Sequence, residues 1–298
     1  MGGLGNTKPE TAAFRKPSWL KVRLPGGEKY SAIRGMMRGS HLHTVCEEAK
    51  CPNLGECWKS GTATFMILGD TCTRACGYCN VRSGVPGKVD DDEPKKVARA
   101  VRKMGLKYAV VTSVTRDDLP DGGAGIFAET IREIRKTNPR CRIEVLIPYL
   151  EGKALRKVLD AGPGVLSHNI EVVRRLFPQA RPKGDYEKSL RLLESVKLSR
   201  PNILTKSGFM LGLGETEREI AETMKDLRKA KCDLLTIGQY LQPARRHLPV
   251  RKYYHPDEFR KLRKAGEKMG FLHVEAGPLV RSSYMAERYV KMIKAKRT

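Results

Sequence analysis

Short apolar runs rich in β-branched residues alternate along this chain with longer charged, amphipathic stretches, and this alternation constrains the fold most strongly. Six runs are typical of buried strands in a parallel sheet: residues 64–68, 108–112, 143–147, 165–170, 203–211 and 234–240. Five stretches between them have helical spacing: residues 93–104, 126–136, 153–161, 186–197 and 217–229. Such alternation builds βα units with right-handed crossovers. The sequence therefore predicts an α/β fold, a partial (β/α)6 TIM-like barrel with its chemistry at the carboxyl ends of the strands.

The alternation divides the chain into four predicted segments. Residues 1–16 are polar, so we expect a flexible N-terminus. Residues 17–62 are predicted to be an N-terminal extension that packs on the barrel, and residues 63–270 the barrel itself. Residues 271–298 form a C-terminal segment with one more apolar run (FLHVE), the motif R-S-S-Y and a basic helix.

The chain carries a large excess of positive charge, with 57 basic and 33 acidic residues and a formal net charge of +24. A field of this size accelerates association with acidic partners and says little about fold. Nucleic acid is one such partner, and a small acidic carrier protein is another. No apolar stretch approaches the length of a membrane span, so no membrane partner is predicted.

Six of the eight cysteines lie close together in two sets of three. They are the upstream triplet, Cys46, Cys51 and Cys57, and the downstream triplet, Cys72, Cys76 and Cys79, which reads CxxxCxxC. Three thiolates this close are able to hold three corners of an iron–sulfur cube and leave the fourth iron open to a small molecule. Two incomplete sets indicate two clusters with different tasks.

Two structural readings of the triplets compete with that chemistry. Disulfides would need an oxidising compartment, but no secretory signal opens the chain, and thiolate clusters make a cytoplasmic location the expectation. Structural zinc normally takes paired knuckles, although His41 and His43 lie near enough to Cys46 to complete a zinc set. Cys141 and Cys232 stand alone beside apolar runs and are predicted to be buried free thiols.

Polar residues at or after the predicted strand ends are candidates for binding a cofactor. They are Thr112, Ser113, Asn169, Glu171, Lys206, Ser207 and Gly212. Glycine at 212 would allow close backbone approach. The segment GLGETE is equally typical of a plain strand–turn–helix connection with Glu215 or Thr216 near the helix start.

Other polar side chains have predicted supporting roles. Arg116, Asp117 and Asp118 would fix a loop or contact a substrate amide, and His168 is predicted to be a hydrogen-bonded core histidine. A basic rim for an acidic carrier is predicted at Arg245, Arg246 and His247. Structural roles are predicted for His255 and His273.

The segment CTRACGYC after the first strand, with Tyr78 before the last cysteine, resembles the radical S-adenosylmethionine superfamily. The resemblance implies that Cys72, Cys76 and Cys79 hold a 4Fe–4S cluster whose open iron chelates S-adenosylmethionine. One electron would then cleave the sulfonium and release a 5′-deoxyadenosyl radical. The cofactor would carry the difficult chemistry, and the protein would supply position and exclusion of water.

Longer segments resemble the lipoyl synthase family over nearly the whole chain after Pro17. They are KPSWLKVRLPGG, CEEAKCPNLGECW, GDTCTRACGYCNV, TSVTRDDLPDGGAGIF, HNIEVV, KSGFMLGLGET, IGQYLQPARRHLPV and GPLVRSSYMAE. The resemblance implies insertion of two sulfur atoms, at C6 and C8, into an octanoyl chain on a lysine of a lipoyl carrier domain.

That resemblance also implies a second, auxiliary 4Fe–4S cluster on the upstream triplet, with Ser283 of R-S-S-Y as its fourth ligand and its own sulfur as the donor. Ser283 would then join the downstream cysteines as a reaction-centre residue, and the C-terminal segment would close over the barrel mouth. The implied partners are a 2-oxoacid dehydrogenase E2 or glycine-cleavage H protein, a flavodoxin or ferredoxin, and an iron–sulfur assembly or carrier protein.

Two alternatives stay open at this point. A radical methylthiotransferase acting on tRNA also pairs two clusters, and it would explain the positive charge, but R-S-S-Y would have no role in it. A zinc-stapled nucleic-acid-binding module would leave the six βα units without a purpose. Departures from the family pattern are expected at Met285 and Glu287.

Overall fold

We describe a computed structural model of the protein, in which residues 15–22, 25–59, 63–284 and 286 are described. The expectations for residues 1–14, for Met285 and Glu287 and for a basic C-terminal helix lie outside these residues. Within the described ranges, no helix is long and apolar enough to cross a membrane.

The strands form one large sheet and one small one. They are β1 (His43–Thr44), β2 (Thr64–Ile67), β3 (Thr71–Cys72), β4 (Arg82–Ser83), β5 (Tyr108–Ser113), β6 (Arg142–Leu146), β7 (Val165–Ser167), β8 (Leu204–Leu211), β9 (Leu234–Gln239) and β10 (His273–Gly277). The large sheet has the order β1-β2-β5-β6-β7-β8-β9-β10, and the small one pairs β3 with β4.

Helices fill the connections between these strands. They are α1 (Glu28–Gly39), α2 (Val45–Glu48), α3 (Leu54–Lys59), α4 (Glu93–Lys103), α5 (Ala124–Thr137), α6 (Gly152–Asp160), α7 (Phe177–Ala180), α8 (Tyr186–Ser199), α9 (Glu217–Lys229) and α10 (Pro256–Lys268), with 3₁₀ turns at Ser18–Leu20 and Arg174–Leu176.

The α/β expectation is confirmed: β2 and β5 through β9 are the six predicted strands, and all neighbours among them pair in parallel. The structure adds a seventh parallel strand, because β10, from the apolar run FLHVE, pairs with β9. It also adds β1, which pairs antiparallel with β2. The sheet therefore stays open, with β1 at one edge and β10 at the other.

The predicted strand over residues 165–170 is too long, since β7 ends at Ser167. The chain turns away at Glu171, which has a positive φ of 70°, an uncommon conformation for a residue other than glycine. Beyond Ser167 the chain still contacts β8, because the His168 N–H donates to Lys206 O at 3.0 Å and Glu171 forms a bridge with Phe209.

The helices cover the sheet because each has an apolar stripe at helical spacing. In α5 the stripe consists of Phe127, Ile131 and Ile134, which are fully buried. Full burial of one such side chain stabilises the fold by roughly 1.5–3 kcal/mol. The helix α9 begins with a capping box between Thr216 and Glu219. This layer leaves the carboxyl ends of the strands open for the site.

Candidate active site

Both cysteine triplets face one cavity of about 810 Å³, which lies at the carboxyl ends of the strands and extends into the barrel. The N-terminal extension, the loop after β2 and the C-terminal segment each contribute reaction-centre candidates to its wall: Cys46, Cys51, Cys57, Cys72, Cys76, Cys79 and Ser283. Residues more than 200 positions apart in sequence thus border one space.

The downstream triplet lies on a loop that is closed by its own small sheet. Cys72 ends β3, which pairs with β4 beyond the last cysteine of the triplet. The Cys72 Sγ accepts hydrogen bonds from the backbone N–H groups of Arg74 at 3.4 Å and Thr115 at 3.3 Å. The backbone N–H of Cys79 donates to the carbonyl of Cys76 at 3.0 Å. The loop therefore presents its sulfur atoms in a fixed local arrangement.

Loops that follow neighbouring strands hold this cysteine loop in place. Arg74 donates to both carboxylate oxygens of Asp117, at 2.9 and 3.0 Å, and this contact lowers the pKa of Asp117. The Gly77 N–H donates to Ala180 O at 2.9 Å. His247 Nε2 contacts Cys79 O at 2.9 Å.

Burial raises the pKa of several cavity thiols. The pKa of Cys46 rises to about 11 and that of Cys79 to about 12, and those of Cys51 and Cys76 are raised too. A desolvated thiol favours its neutral form, whereas a coordinated metal removes the proton. These sulfurs therefore suit metal ligation, because a bound metal cation stabilises the thiolate form that burial disfavours.

The upstream triplet is built from two short helices and the turn between them. Cys46 lies in α2, which Thr44 caps by accepting a hydrogen bond from the N–H of Glu47. Cys51 N–H donates to Cys46 O at 3.0 Å, and Cys57 in α3 donates to Asn53 O at 2.8 Å. The pairing of β1 with β2 joins this unit to the barrel.

The C-terminal segment is hydrogen-bonded to residues around the upstream triplet. Thr64 Oγ1 donates to Ser283 Oγ at 2.8 Å, although the two residues are 219 positions apart. Asn53 Nδ2 donates to Leu279 O at 2.6 Å, and the Tyr284 hydroxyl donates to Glu56 at 3.2 Å. Ser283 is thereby held beside the elements that carry Cys46, Cys51 and Cys57.

Four of the predicted cofactor-binding residues line the cavity: Thr112, Ser113, Asn169 and Glu171. Ser113 Oγ and Asn169 Oδ1 are buried and have no hydrogen-bond partner among the described residues. Asn169 Nδ2 donates to Ser282 Oγ at 2.6 Å. Enclosure by protein raises the pKa of Glu171. Unpaired buried polar atoms of this kind are fitted to a polar ligand.

The other three predicted cofactor-binding residues do not line the cavity. Lys206 forms a buried ion pair with Glu144 at 2.9 Å. The Ser207 hydroxyl accepts a hydrogen bond from the Ile170 N–H at 3.1 Å. Gly212 lies in the turn before α9 with a φ of 111°, and its N–H donates to Glu215 at 2.6 Å.

The structure gives the remaining predicted residues local roles. Arg116 is buried and ties the loop together through Leu68 O, Gly87 O and Asp118. His168 is confirmed as a core histidine, because it is 1% exposed and contacts Ile147 O and Ser189. It also borders the cavity.

Two sequence interpretations are wrong in part. His247 does not join an exposed rim with Arg245 and Arg246, because its ring is buried against Cys79 O. Cys232 is buried as predicted, whereas Cys141 is half-buried. The structural roles of His255 and His273 fit their positions, since His255 caps α10 and His273 lies on β10, 3.3 Å from Glu275.

Sequence reasoning missed two cavity residues of clear importance. Arg181 lines the cavity, donates to Asn169 O at 3.0 Å and lies over the Phe177 ring. Thr64 is predicted from the sequence only to begin a strand, and its contact with Ser283 is not. No motif marks either residue, and only the register of distant elements brings them to the site.

The donor set fits the groups that the sequence indicates. No three Cys, His, Asp or Glu side chains of the described ranges converge closely enough to hold a single metal ion. The thiolates of an iron–sulfur cube bind different irons, so a cube requires a wider arrangement. The six thiols line one cavity together with unpaired polar atoms, so each triplet offers three sulfur ligands for such a cube.

Comparison with known sequences places the chain in a class of enzymes. Residues 66–227 match the radical SAM superfamily, and residues 4–51 match the N-terminal domain of lipoyl synthase of that family. The fold agrees. The FeFe-hydrogenase maturase HydG from Carboxydothermus hydrogenoformans has a TM-score of 0.55 at 14% identity, over 88% of this chain and 68% of that one. Methylornithine synthase has a TM-score of 0.51 at 13% identity, over 71% of this chain and 58% of that one. The fold and the site define a radical S-adenosylmethionine enzyme.

Full-length relatives identify the family within that class. The lipoyl synthase of Rubrobacter xylanophilus is 56% identical over 94% of this chain and 88% of its own length. The lipoyl synthase of Halalkalibacterium halodurans is 57% identical over 93% of this chain and 92% of its own length. The lipoyl synthase of Thermus thermophilus is 53% identical over 96% of this chain and 90% of its own length. The chain belongs to the lipoyl synthase family, and it is a sulfur-inserting enzyme whose family implies a 4Fe–4S cluster and S-adenosylmethionine.

Proposed function

We propose that this enzyme inserts sulfur at C6 and C8 of an octanoyl chain that is amide-linked to a lysine of a lipoyl carrier domain. The observation that carries this proposal is the single cavity that both cysteine triplets and Ser283 border. A radical source and a sulfur source must reach the same carbon atoms, and one shared cavity meets that condition.

In this proposal, the two triplets hold different clusters. Cys72, Cys76 and Cys79 would hold the cluster that binds S-adenosylmethionine, and this pair would supply the radical chemistry at unactivated carbon. The upstream triplet and Ser283 hold an auxiliary cluster, which supplies the sulfur. The hydrogen bond from Thr64 to Ser283 supports this assignment, because it seats the serine oxygen beside the N-terminal extension.

The protein's own residues bind, orient and exclude water. Ser113 and Asn169 offer unpaired polar atoms to the cofactor. The Arg74–Asp117 pair holds the cysteine loop against the loop after β5. Apolar side chains such as Val110 and Leu146 surround the space left for the acyl chain, and they keep water away from a reactive intermediate.

The partners follow from the same proposal. The octanoyl group arrives on a lipoyl carrier domain, of a 2-oxoacid dehydrogenase E2 or a glycine-cleavage H protein. Electrons come from a flavodoxin or ferredoxin, and an iron–sulfur assembly or carrier protein restores the auxiliary cluster in the cytoplasm. The net charge of +24 and the exposed Arg245 and Arg246 favour an acidic carrier.

Anaerobic assays of the cluster-loaded enzyme test this assignment. With S-adenosylmethionine, a reductant and an octanoyl-lysyl peptide, we expect deoxyadenosine and a dithiolane product. Cys46→Ser should retain about four of about eight irons and still form deoxyadenosine without dithiolane. Cys72→Ser should form neither. Cys141→Ser, away from the cavity, is the matched control and should form both.

The outcomes separate the alternatives. Zinc without sulfide would exclude the enzyme assignment altogether. A methylthio product on tRNA, with the octanoyl peptide unchanged, would favour the methylthiotransferase. Dithiolane formation by Cys46→Ser would show that the upstream triplet is not the sulfur source.

A further inference from the structure

Four polar side chains meet inside the barrel beneath the cavity, and the proposed reaction does not use them. The Glu144 carboxylate accepts hydrogen bonds from the Tyr108 hydroxyl at 2.6 Å, from Ser167 at 2.9 Å and from Lys206 Nζ at 2.9 Å. The side chains of Glu144 and Lys206 are each 1% exposed. We name Tyr108, Glu144, Ser167 and Lys206 the interior polar cluster.

The cluster lies on the face of the sheet that points into the barrel, and its deepest member, Tyr108, begins β5. Tyr108, Val110 and Thr112 of β5 all line the cavity, as the two-residue repeat of a strand requires. Leu146 of β6 also lines it, so Glu144, two residues earlier, points inward as well. Tyr108 belongs to both the cavity wall and the cluster.

Part of the wall above Tyr108 is apolar. Met66, Val110, Leu146 and Met210 contribute to it from four different strands. At its lower end Tyr108 packs with Val110 and with Ala286 of the C-terminal segment. Hydrocarbon is favoured along these side chains, and the first hydrogen-bonded polar group below them is the Tyr108 hydroxyl.

The cluster lies at the depth of the Ser283 anchor. Thr64 is paired in register with Val110, and Val110 is paired with Glu144. Thr64 is also the residue that donates to Ser283 Oγ. A chain that stops at the Tyr108 ring therefore ends near the level of the proposed auxiliary site.

We propose that Tyr108, held by Glu144, Ser167 and Lys206, is the floor of the acyl site and selects chains of eight carbons. This inference rests on the proposed function. The carrier domain is folded and stays outside, so the acyl carbonyl faces the mouth and the methyl end points down. The floor then fixes which carbons lie beside the sulfur source.

A polar floor stops a hydrocarbon chain more sharply than an apolar one. An apolar floor can repack around an extra methylene. Here a longer chain would have to displace the Tyr108 ring and break its hydrogen bond to the buried Glu144 carboxylate. Glu144 is itself fixed by Lys206 and Ser167, so the ring has little freedom to move.

Replacing the ring tests the floor directly. An octanoyl-lysyl and a decanoyl-lysyl peptide are compared as ligands and as substrates of the cluster-loaded enzyme. Equilibrium binding is measured without S-adenosylmethionine. Competition for dithiolane formation is measured in the presence of S-adenosylmethionine. Tyr108→Ala, or Tyr108→Leu if the alanine variant folds poorly, should raise the decanoyl-to-octanoyl ratio about tenfold or more in both measurements. Tyr108→Phe keeps the ring volume but loses the hydrogen bond that holds the ring, so it should raise the ratio by about threefold, well below the smaller side chains.

The outcomes distinguish this inference from the function on which it rests. Failure of the wild-type enzyme to bind or convert the octanoyl peptide would overturn the proposed function. A wild-type enzyme that converts octanoyl, with an unchanged ratio in a folded Tyr108→Ala or Tyr108→Leu variant, would overturn the floor alone. An equal shift in Tyr108→Phe would also overturn it, since ring volume would then not be the stop.

Discussion

At the residue scale, the buried pair of Lys206 and Glu144 has the largest expected effect on stability. Both side chains are removed from water, and the carboxylate is shared by Tyr108, Ser167 and Lys206. Removing one partner of a buried pair leaves an uncompensated charge, which typically costs 3–5 kcal/mol, whereas a neutral replacement of both is tolerated far better. Replacing only Lys206 or only Glu144 should therefore lower the stability of the fold strongly.

Lys206→Met should consequently lower the melting temperature of the anaerobic, cluster-loaded enzyme by on the order of 10 °C. Glu144→Gln combined with Lys206→Met should recover most of that loss, because no unpaired charge remains. Lys225→Met, on the outer helix α9, is the matched control and should change the melting temperature little. A double variant no more stable than Lys206→Met would contradict the charge argument.

His168 makes part of the stability depend on pH. Burial lowers its pKa from 6.5 to about 3, so the unfolded chain binds a proton that the folded chain does not. Its contribution is fully present above pH 6.5 and is lost as the pH falls toward 3. His168→Gln should weaken the dependence of the denaturation midpoint on pH over this window. An unchanged slope of the midpoint against pH would contradict the assignment to His168.

Neighbouring residues at strand ends show how far the sequence could predict the site. Thr112 and Ser113 both reach the cavity because β5 ends at Ser113 and its alternation stops there. Lys206 and Ser207 lie within β8, where adjacent side chains must point to opposite faces. Position near a predicted strand end selected all seven polar candidates, but the strand boundaries decide which of them line the cavity, and four do.

At the element scale, the fit between β9 and the C-terminal segment depends on one glycine. A Cβ at Gly238 would lie 2.1 Å from the carbonyl oxygen of Val280. Backbone cannot move aside as a flexible side chain would, so a side chain at this position must displace the segment. That segment continues directly to Ser283.

Gly238→Ala should therefore reduce the bound iron from about eight toward about four atoms per chain, by loosening the auxiliary site. Deoxyadenosine formation should persist, since the atoms nearest to this position belong to Val280 and Arg281. Gly164→Ala, whose Cβ would meet its nearest neighbour at an ordinary 3.6 Å, serves as the control. Full iron content in Gly238→Ala would mean that the segment does not depend on this close approach.

The elements themselves were predictable where a long periodic pattern specifies them. The helix α9 spans the predicted residues 217–229, and β5 through β9 fall at the expected runs. The strand β1 has two residues, too few for any period, and it exists because it pairs with β2. The run that forms β10 gave no sign that it would extend the sheet, since that depends on its contact with β9.

At the scale of the whole molecule, the two ends of the sequence close the open side of the barrel together. Asn53 contacts Leu279, Glu56 contacts Tyr284, and Thr64 contacts Ser283. These three contacts are hydrogen bonds between polar groups, so we expect the proposed auxiliary cluster to add much of the stability that joins the two ends. The outer helices of the barrel have apolar stripes of their own in the core, as α5 does.

Consumption of the auxiliary cluster should therefore loosen both ends and leave the barrel unchanged. After a single turnover with octanoyl-lysyl peptide, amide exchange should rise about tenfold or more in residues 45–58 and in residues 279–284. The helix α5 is the internal control, because its buried stripe belongs to the barrel core. Enzyme treated with S-adenosylmethionine and reductant but no acyl peptide controls for chemistry that spares the cluster. A rise at only one end would mean that the cluster does not bridge the two segments, and an equal rise in α5 would mean that turnover destabilises the whole fold.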